Sequence, residues 1–108
     1  MKVYVASAYS GDTEENVRIA VRAGEELTKK GHVPFIPHLF HYWDLLYPHP
    51  YDFWMSQCLE HLESCDAVLR LNNVSPGADQ EVLYAMNILN IPVYYSIDDI
   101  ESVYEGMN

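Results

Sequence analysis

The feature that most constrains the fold is a regular alternation of short apolar runs with longer segments of helical periodicity. Runs rich in β-branched and aromatic residues predict strands at residues 2–7, 33–36, 66–71 and 91–95. The other segments predict helices at 12–30, 51–64 and 77–89, and a last helix from 97 to about 105. Strands that alternate with helices form parallel sheets with right-handed crossovers, so the pattern indicates an α/β protein.

We therefore expect a three-layer α/β sandwich, flavodoxin-like or Rossmann-like, with a four- to five-stranded parallel sheet in the order 2-1-3-4. Pro34 has no N–H for a neighbouring strand, which places the second strand at an edge. A chain of 108 residues is large enough for one core, and we expect a single domain over residues 1–108. The order reverses between strands 1 and 3, so the loops after Ser7 and Leu71 are expected to form a crevice.

The charge balance argues against two classes of partner. Six Lys and Arg against sixteen Asp and Glu give a net charge of −10, which disfavours binding to nucleic acid or to an anionic membrane. The only two cysteines, Cys58 and Cys65, are seven apart within one predicted helix and are expected to be reduced thiols. With no signal-peptide pattern at the start, these features predict a cytoplasmic protein.

Glu81 is the strongest candidate for a functional residue. It lies one turn into the predicted helix that follows the third strand, where open α/β sheets bind their ligands. A carboxylate can attack a sugar carbon and then leave again, which suits it to covalent catalysis on a glycosidic bond. The alternative is an acid that is merely favoured by the positive end of the helix dipole.

Two residues before Glu81 are expected to shape the turn that enters its helix. Gly77 allows close approach of the backbone, and free N–H groups there can bind an oxygen of a ligand. Ser75 is a second candidate binding residue. Plain capping of the helix by a Ser-Pro turn explains the same pattern equally well.

The loop after the first strand forms the facing wall of the expected crevice. Ser7, Tyr9, Ser10 and Gly11 are small or carry hydroxyl groups, which suits a sugar or a phosphate. The acids that begin the next helix crowd the same end, and no basic residue is adjacent in sequence. This charge pattern favours a neutral nucleoside over a nucleotide, although Arg18 could fold back towards the loop.

An aromatic segment at residues 39–54 predicts a broken helix or a lid-like loop that resumes as a helix near Tyr51. Its rings could stack on a base, but packing in the core or at a subunit interface is the preferred interpretation. Three histidines, His38, His41 and His49, lack regular ligand spacing, so no metal site and no cofactor are predicted. His38 is expected to line the pocket after the second strand.

Several segments of the chain resemble segments of the nucleoside 2-deoxyribosyltransferase superfamily, and especially of a small branch of it. The segments occur in the same order and extend over nearly the whole chain. The matching pieces are Val3-Tyr4-Val5-Ala6-Ser7-Ala8-Tyr9-Ser10-Gly11-Asp12, Gly31-His32-Val33-Pro34-Phe35-Ile36-Pro37-His38, Cys65-Asp66-Ala67-Val68, Ser75-Pro76-Gly77-Ala78-Asp79-Gln80-Glu81 and Asn90-Ile91-Pro92-Val93.

The resemblance implies cleavage or transfer of the N-glycosidic bond of deoxyribonucleosides or their 5′-monophosphates, with Glu81 as the nucleophile. Ser75 matches a position that is Ser in the nucleotide-hydrolase branch and Asp in the transferase branch. Cys58 departs from the pattern, because related enzymes carry there an Asp that handles the leaving base. Asp44 or Asp52 of the aromatic segment could replace that acid.

Three hypotheses follow from these features. The first is an N-glycoside-processing enzyme that acts on a small-molecule nucleoside or nucleotide. The second is a non-catalytic nucleoside- or nucleotide-binding module, which the cysteine at position 58 favours. The third is an interaction protein whose acidic surface and aromatic patch serve a partner. Related enzymes complete their sites across subunit contacts, so the resemblance implies a homodimer or larger assembly, with residues 39–54 as its apolar contact.

Overall fold

The computed structural model describes residues 1–104 and contains a four-stranded parallel sheet. Its strands are β1 (Lys2–Ala6), β2 (Val33–Phe35), β3 (Ala67–Arg70) and β4 (Val93–Tyr94), in the order β2-β1-β3-β4. Val3 of β1 pairs with Pro34 on one side and with Ala67 on the other, and Val68 of β3 pairs with Val93. The predicted fold class and strand order are confirmed, and Pro34 does lie in an edge strand.

Helices cover both faces of the sheet. They are α1 (Thr13–Lys29), α2 (Phe40–Leu46), α3 (Tyr51–Leu62) and α4 (Pro76–Tyr84). Successive side chains of a strand point to opposite faces. Val3 and Val5 of β1 accordingly pack with α1, whereas Tyr4 and Ala6 pack with α3 and α4. These two buried clusters make the three-layer sandwich, and they place Tyr4 on the same face as α4.

The ends of α1 follow from its capping residues. The carboxylate of Asp12 accepts a hydrogen bond from the backbone N–H of Glu15, which satisfies a donor of the first turn. At the other end Gly31 adopts φ of 88°, a conformation that favours glycine, and its N–H donates to the carbonyl of Thr28. The sequence signals for the start and the stop of this helix are both confirmed.

The aromatic segment forms two helices, as the prediction of a broken helix required. α2 ends at Leu46, and α3 begins at Tyr51 after Pro50. Asp44 of α2 stabilises the connection between the two helices. Its carboxylate accepts hydrogen bonds from the indole N–H of Trp54 at 2.7 Å and from the backbone N–H of His49 at 3.1 Å. None of the helices in residues 1–104 is long and apolar enough to cross a membrane.

Two predicted helices differ from the structure. The helix expected at 77–89 is α-helical only over Pro76–Tyr84 and continues as a π-helical turn over Ala85–Leu89. The prediction of a last helix from 97 to about 105 was wrong, because only a 3-10 turn forms, at Ile97–Asp99. Residue 105 lies outside the described residues. Ile100 is buried in the core there, and Lys30 donates to the carbonyls of Ile97 and Ile100, which holds the backbone out of a helix.

Candidate active site

A cavity of about 590 Å³ lies at the carboxyl ends of the first three strands. The loop after β1 contributes residues 7–10, the turn after β2 contributes Pro37 and His38, and the loop after β3 with α4 contributes residues 74–78 and Glu81. Helices α2 and α3 supply the aromatic side of the wall. The predicted crevice position agrees with this cavity, and the loop after β2 adds a third wall.

Glu81 is the buried acid of the cavity, with 7% of its surface exposed. The hydroxyl of Tyr4, a fully buried residue of β1, donates a hydrogen bond to Oε2 of Glu81. Burial raises the pKa of Glu81 to about 7, and the hydrogen bond from Tyr4 and the charge of Arg70 oppose this rise. The Oε1 atom has no protein donor within residues 1–104, which leaves one carboxylate oxygen free for a ligand.

Cys58 lies on α3 and lines the same cavity. Burial raises the pKa of its thiol to about 11; a hydrogen bond with Tyr4 lowers that value and the charge of Glu81 adds to it. The thiol therefore keeps its proton at neutral pH and is not a thiolate nucleophile. Both cysteines are free, as expected, although Cys65 lies beyond the end of α3 rather than within one helix with Cys58.

His38 sits in the cavity wall with 3% of its surface exposed. Its Nε2 lies 3.2 Å from the carbonyl oxygen of Ser7 and 3.0 Å from that of Ala8, so Nε2 carries the proton. Burial lowers the pKa of the imidazole, with the two carbonyls opposing that shift. The ring is thus neutral, and its Nδ1 is a buried acceptor with no partner in the described part of the chain.

Of the four residues predicted to bind a ligand in the loop after β1, three line the cavity and one does not. Ser7, Tyr9 and Ser10 line the cavity, and the hydroxyl of Tyr9 lies 2.5 Å from Nδ1 of His41. Gly11 does not line the cavity; it is exposed at φ of 95°, a backbone conformation that only glycine adopts readily. Its contribution is therefore to the turn before α1.

Ser75 and Gly77 both line the cavity. The hydroxyl of Ser75 accepts from the backbone N–H of Ala78 at 3.1 Å, so this residue caps α4 as the simpler interpretation proposed. A Cβ placed on Gly77 would lie 3.1 Å from the hydroxyl oxygen of Tyr51. Glycine therefore lets α3 and α4 approach each other beside the cavity.

Three residues that organise the site were missed from the sequence, namely Tyr4, Arg70 and Asn73. The Asn73 amide donates to the Ser7 hydroxyl at 2.7 Å and accepts from the N–H of Ala8 and from Arg70, both at 3.0 Å. This contact joins the loops after β1 and β3. A charged residue inside an apolar strand was the available signal for Arg70; Asn73 gave none, because its partners are distant in sequence.

The two acids considered as replacements for the missing Asp have different positions. Asp44 lines the cavity, whereas Asp52 lines a separate groove between α3 and α4. The backbone N–H of His49, and then the indole of Trp54, lower the pKa of Asp44. Asp44 is therefore ionised at neutral pH. Residues 1–104 contain no group of three His, Cys, Asp or Glu side chains that could hold a metal ion.

The fold is similar to that of a solved enzyme. A 2-deoxyribosyltransferase from the psychrotolerant bacterium Bacillus psychrosaccharolyticus is 25% identical in sequence, with a TM-score of 0.61. The match covers 86% of this chain and 69% of that one. It supports the resemblance to the deoxyribosyltransferase superfamily and, at a coarse level, a role in nucleoside glycosyl transfer.

Residues 1–96 match one family of protein sequences, and the chain belongs to it: Domain of unknown function (DUF7768). No curated protein matches the chain. The description of this family names no activity.

Proposed function

We propose that the chain cleaves or transfers the N-glycosidic bond of a (deoxy)nucleoside, with Glu81 as the nucleophile. The observation that carries this proposal is a buried carboxylate at the carboxyl edge of the sheet, held by Tyr4 through one oxygen and free at the other. The similarity to a solved 2-deoxyribosyltransferase supports the same class of reaction. We also propose that residues 1–108 form a single domain.

The first step joins Glu81 to the sugar. Its free Oε1 forms a bond to the anomeric carbon while the bond from that carbon to the base nitrogen breaks, and the bonding electron pair leaves with the base. The hydrogen bond from Tyr4 to Oε2 fixes the plane of the carboxylate and stabilises its ionised form. Water then attacks the glycosyl ester to release free sugar, or a second base attacks it to give a new nucleoside.

The departing base needs a proton or a partner that stabilises its negative charge. Asp44 is ionised, and two hydrogen bonds already occupy its Oδ1, so it does not serve as the proton donor. The thiol of Cys58, with a pKa of about 11, is a weak acid. Protonation by water is therefore the route that the cavity supports.

Cys58 also favours a second candidate, a nucleoside-binding module without catalysis. A neutral thiol stands beside the buried acid where the resemblance implies a carboxylate for the leaving base. Without that carboxylate the chemical step would be slow, whereas the cavity would still enclose a nucleoside. Binding without base release would identify this function.

The test is an incubation of the purified chain with 2′-deoxynucleosides and their 5′-monophosphates, with and without a free acceptor base. Chromatography follows base release and base exchange, and a thermal melt follows binding. Base release that is lost in Glu81→Ala and kept in Glu63→Ala supports catalysis by Glu81; Glu63 is an exposed acid outside the cavity. Stabilisation without base release supports the binding module. If neither base release nor stabilisation is observed, both proposals are refuted.

Self-association remains a prediction for residues 39–54. Large apolar side chains are exposed there, and the most exposed are Leu39, Tyr42, Leu45, Leu46, Tyr47 and Tyr51. Exposed apolar clusters of this kind favour an interface between proteins. Light scattering on the purified chain should give the mass of a dimer or a larger assembly, and a monomer mass at all concentrations would contradict the prediction.

A further inference from the structure

We propose that Tyr9 and His41 form a pair that gives a proton to the departing base and takes one back in the second step. This inference rests on the proposed function and assigns two further residues to that reaction. Water remains the source of the proton, and the pair carries it to the base along a fixed route. The hydroxyl of Tyr9 touches the base, and His41 acts through that hydroxyl.

The two side chains come from different parts of the fold and meet in the cavity lining. Tyr9 follows β1 and His41 belongs to α2, and both line the cavity. The hydroxyl oxygen of Tyr9 lies 2.5 Å from Nδ1 of His41, within hydrogen-bonding distance. The two rings meet edge to face, with centroids 5.6 Å apart. The pair therefore joins the loop after β1 to the first helix of the aromatic segment.

These two groups have complementary proton chemistry. Imidazole gives and takes a proton near neutral pH, and a phenol hydroxyl both donates and accepts hydrogen bonds. When His41 is protonated, its Nδ1–H donates to the oxygen of Tyr9, and the hydroxyl hydrogen of Tyr9 is free to point at a ligand. Burial, and then the charge of Asp44, raise the pKa of Tyr9, so this residue is a phenol at neutral pH. Tyr9 therefore releases a proton only when His41 replaces it.

Asp44 supplies the counter-charge for a protonated His41. It lies on α2 three residues after His41 and lines the same cavity. The backbone N–H of His49, and then the indole of Trp54, lower the pKa of Asp44, and the charge of His41 contributes to the same shift. Opposite charges at short range attract each other. Asp44 has no proton to give to the base, but it stabilises the charge of the group that has one.

The remaining histidines and the thiol in the cavity lining are less suited to this role. The N–H of His38 is shared between two backbone carbonyls, and burial lowers the pKa of its imidazole. The imidazole of His49 stacks on an aromatic ring of α3, with centroids 3.9 Å apart. The thiol of Cys58 has a pKa of about 11. In Tyr9 and His41, by contrast, a hydroxyl donor is hydrogen-bonded to a group that can return its proton.

The aromatic side of the cavity is suited to hold the base while the sugar reaches Glu81. Phe40, next to His41 on α2, and Trp54 on α3 line that side, with ring centroids 5.5 Å apart. Bases stack on aromatic rings through their π-faces. A nucleoside with its anomeric carbon at Glu81 and its base on these rings brings the base to the wall that contains Tyr9 and His41.

The proton balance closes over the two steps. As the bond from the anomeric carbon to the base nitrogen breaks, its electron pair stays with the nitrogen. That nitrogen takes the hydroxyl proton of Tyr9, while Nδ1 of protonated His41 passes its proton to the Tyr9 oxygen. Water then attacks the glycosyl ester, and a proton of that water returns through Tyr9 to Nδ1 of His41. An acceptor base in place of water returns its own N–H proton by the same path, so each turnover restores the pair.

The experiment compares two leaving groups in the wild-type chain, Tyr9→Phe and His41→Ala. One substrate is 2′-deoxyadenosine, whose base needs a proton, and the other is 4-nitrophenyl 2-deoxyribofuranoside, whose nitrophenolate leaves without one. We expect both variants to release adenine at least about a hundredfold more slowly than the wild-type chain and to release nitrophenolate at nearly the wild-type rate. A purely structural role would slow both substrates alike.

A rescue and a matched control sharpen the test. Tyr9→Phe keeps the ring and removes only the hydroxyl, so it separates proton transfer from packing. Added imidazole should restore adenine release by His41→Ala at least about tenfold, because it can enter the vacated space, and it should not restore Tyr9→Phe. Tyr95→Phe is the control for the loss of a hydroxyl, because Tyr95 is 62% exposed and lies outside the cavity lining.

The failures of the two proposals are distinguishable. If adenine release depends on Glu81 but is unchanged in Tyr9→Phe and His41→Ala, or if both substrates slow equally, this inference is overturned and the N-glycoside chemistry stands. A failure of imidazole to restore His41→Ala would overturn the role of His41. If the wild-type chain releases neither adenine nor nitrophenolate, the proposed function falls and the inference falls with it.

Discussion

Within residues 1–104, two tyrosine–glutamate hydrogen bonds lie in very different surroundings. Tyr4 donates to Glu81 inside the cavity, and both side chains are buried. Tyr84 donates to Glu63 at the surface, with an oxygen–oxygen distance of 2.5 Å. The same two functional groups meet in both places, so any difference in behaviour comes from their environment.

Burial is what separates the two pairs. It is the main cause that raises the pKa of Tyr4 and brings that of Glu81 to about 7, whereas the pKa of Tyr84 is raised chiefly by its hydrogen bond to Glu63. Water solvates the surface pair in either ionisation state. Because burial shifts the pKa of Glu81 towards neutral pH, this acid is a candidate for function. The surface pair is not buried, so the same argument does not apply to it.

The largest expected effect is on catalysis. Glu81→Gln keeps the shape of the side chain and removes the nucleophile, so base release should fall by at least about a thousandfold. Glu63→Gln is the matched change in the surface pair and should leave the rate unchanged. Equal losses in the two variants, measured by chromatography, would show that the buried pair is not special.

The pH dependence of stability is the next effect in size. The pKa of Glu81 rises from 4.5 in the unfolded chain to about 7 in the folded one, so the folded state binds the proton more tightly. Stability should therefore fall as pH rises from about 4.5 to about 7, by on the order of 3 kcal/mol from this group.

Urea unfolding at pH 5 and pH 8 measures this effect. Other groups also titrate in this range, so the test is the difference between the wild-type chain and Glu81→Gln, which lacks the ionisable group. A pH dependence that is the same in both would contradict the burial argument. The rate of base release should show the opposite trend and rise with pH through about 7, because only the ionised carboxylate attacks.

Tyr4→Phe tests the hydrogen bond rather than the acid. The buried carboxylate loses its donor, which should cost about 1–3 kcal/mol of stability at pH 8, where Glu81 is ionised. The pKa of Glu81 should also rise further, and the midpoint of the pH–rate profile should move up with it. Tyr84→Phe, the matched change at the surface, should alter neither quantity.

The smallest expected effect concerns the contact that holds the cavity walls around the buried pair. Asn73→Ala removes hydrogen bonds to Ser7, Ala8 and Arg70 and should lower stability by about 1–2 kcal/mol, with weaker nucleoside binding. Asn72→Ala is the neighbouring control, because Asn72 is exposed. Chemical unfolding and thermal melts with a nucleoside would reveal whether the two asparagines differ.

Much of the fold could be predicted because its signals are local. The alternation of apolar runs and helical segments gave the parallel sheet, Pro34 gave the edge, and Asp12 and Gly31 gave the ends of α1. The prediction of the last helix was wrong because tertiary contacts determine the conformation of that segment. Ile100 is buried against the sheet and the carbonyls of its segment bind Lys30, and neither interaction can be seen from local sequence.

The candidate site divides in the same way. Glu81, Ser75 and Gly77 stand together in sequence at a strand-to-helix junction, so a pattern could single them out. Tyr4 is one of several apolar residues in the first strand, and only strand pairing and helix packing bring its hydroxyl to a residue 77 positions away. Gly11 shows the opposite error, because its proximity in sequence suggested a cavity residue and its backbone only makes the turn.

The sequence by itself determined the order of strands and helices, the position of the crevice and the acid within it, because periodicity, capping residues and turn residues act over a few neighbours. Only the tertiary structure decided the environment of that acid. The burial that raises the pKa of Glu81 and its hydrogen bond from Tyr4 both depend on groups that are distant along the chain. Desolvation and charge are properties of the assembled cavity, and they distinguish Glu81 from an acid on the surface.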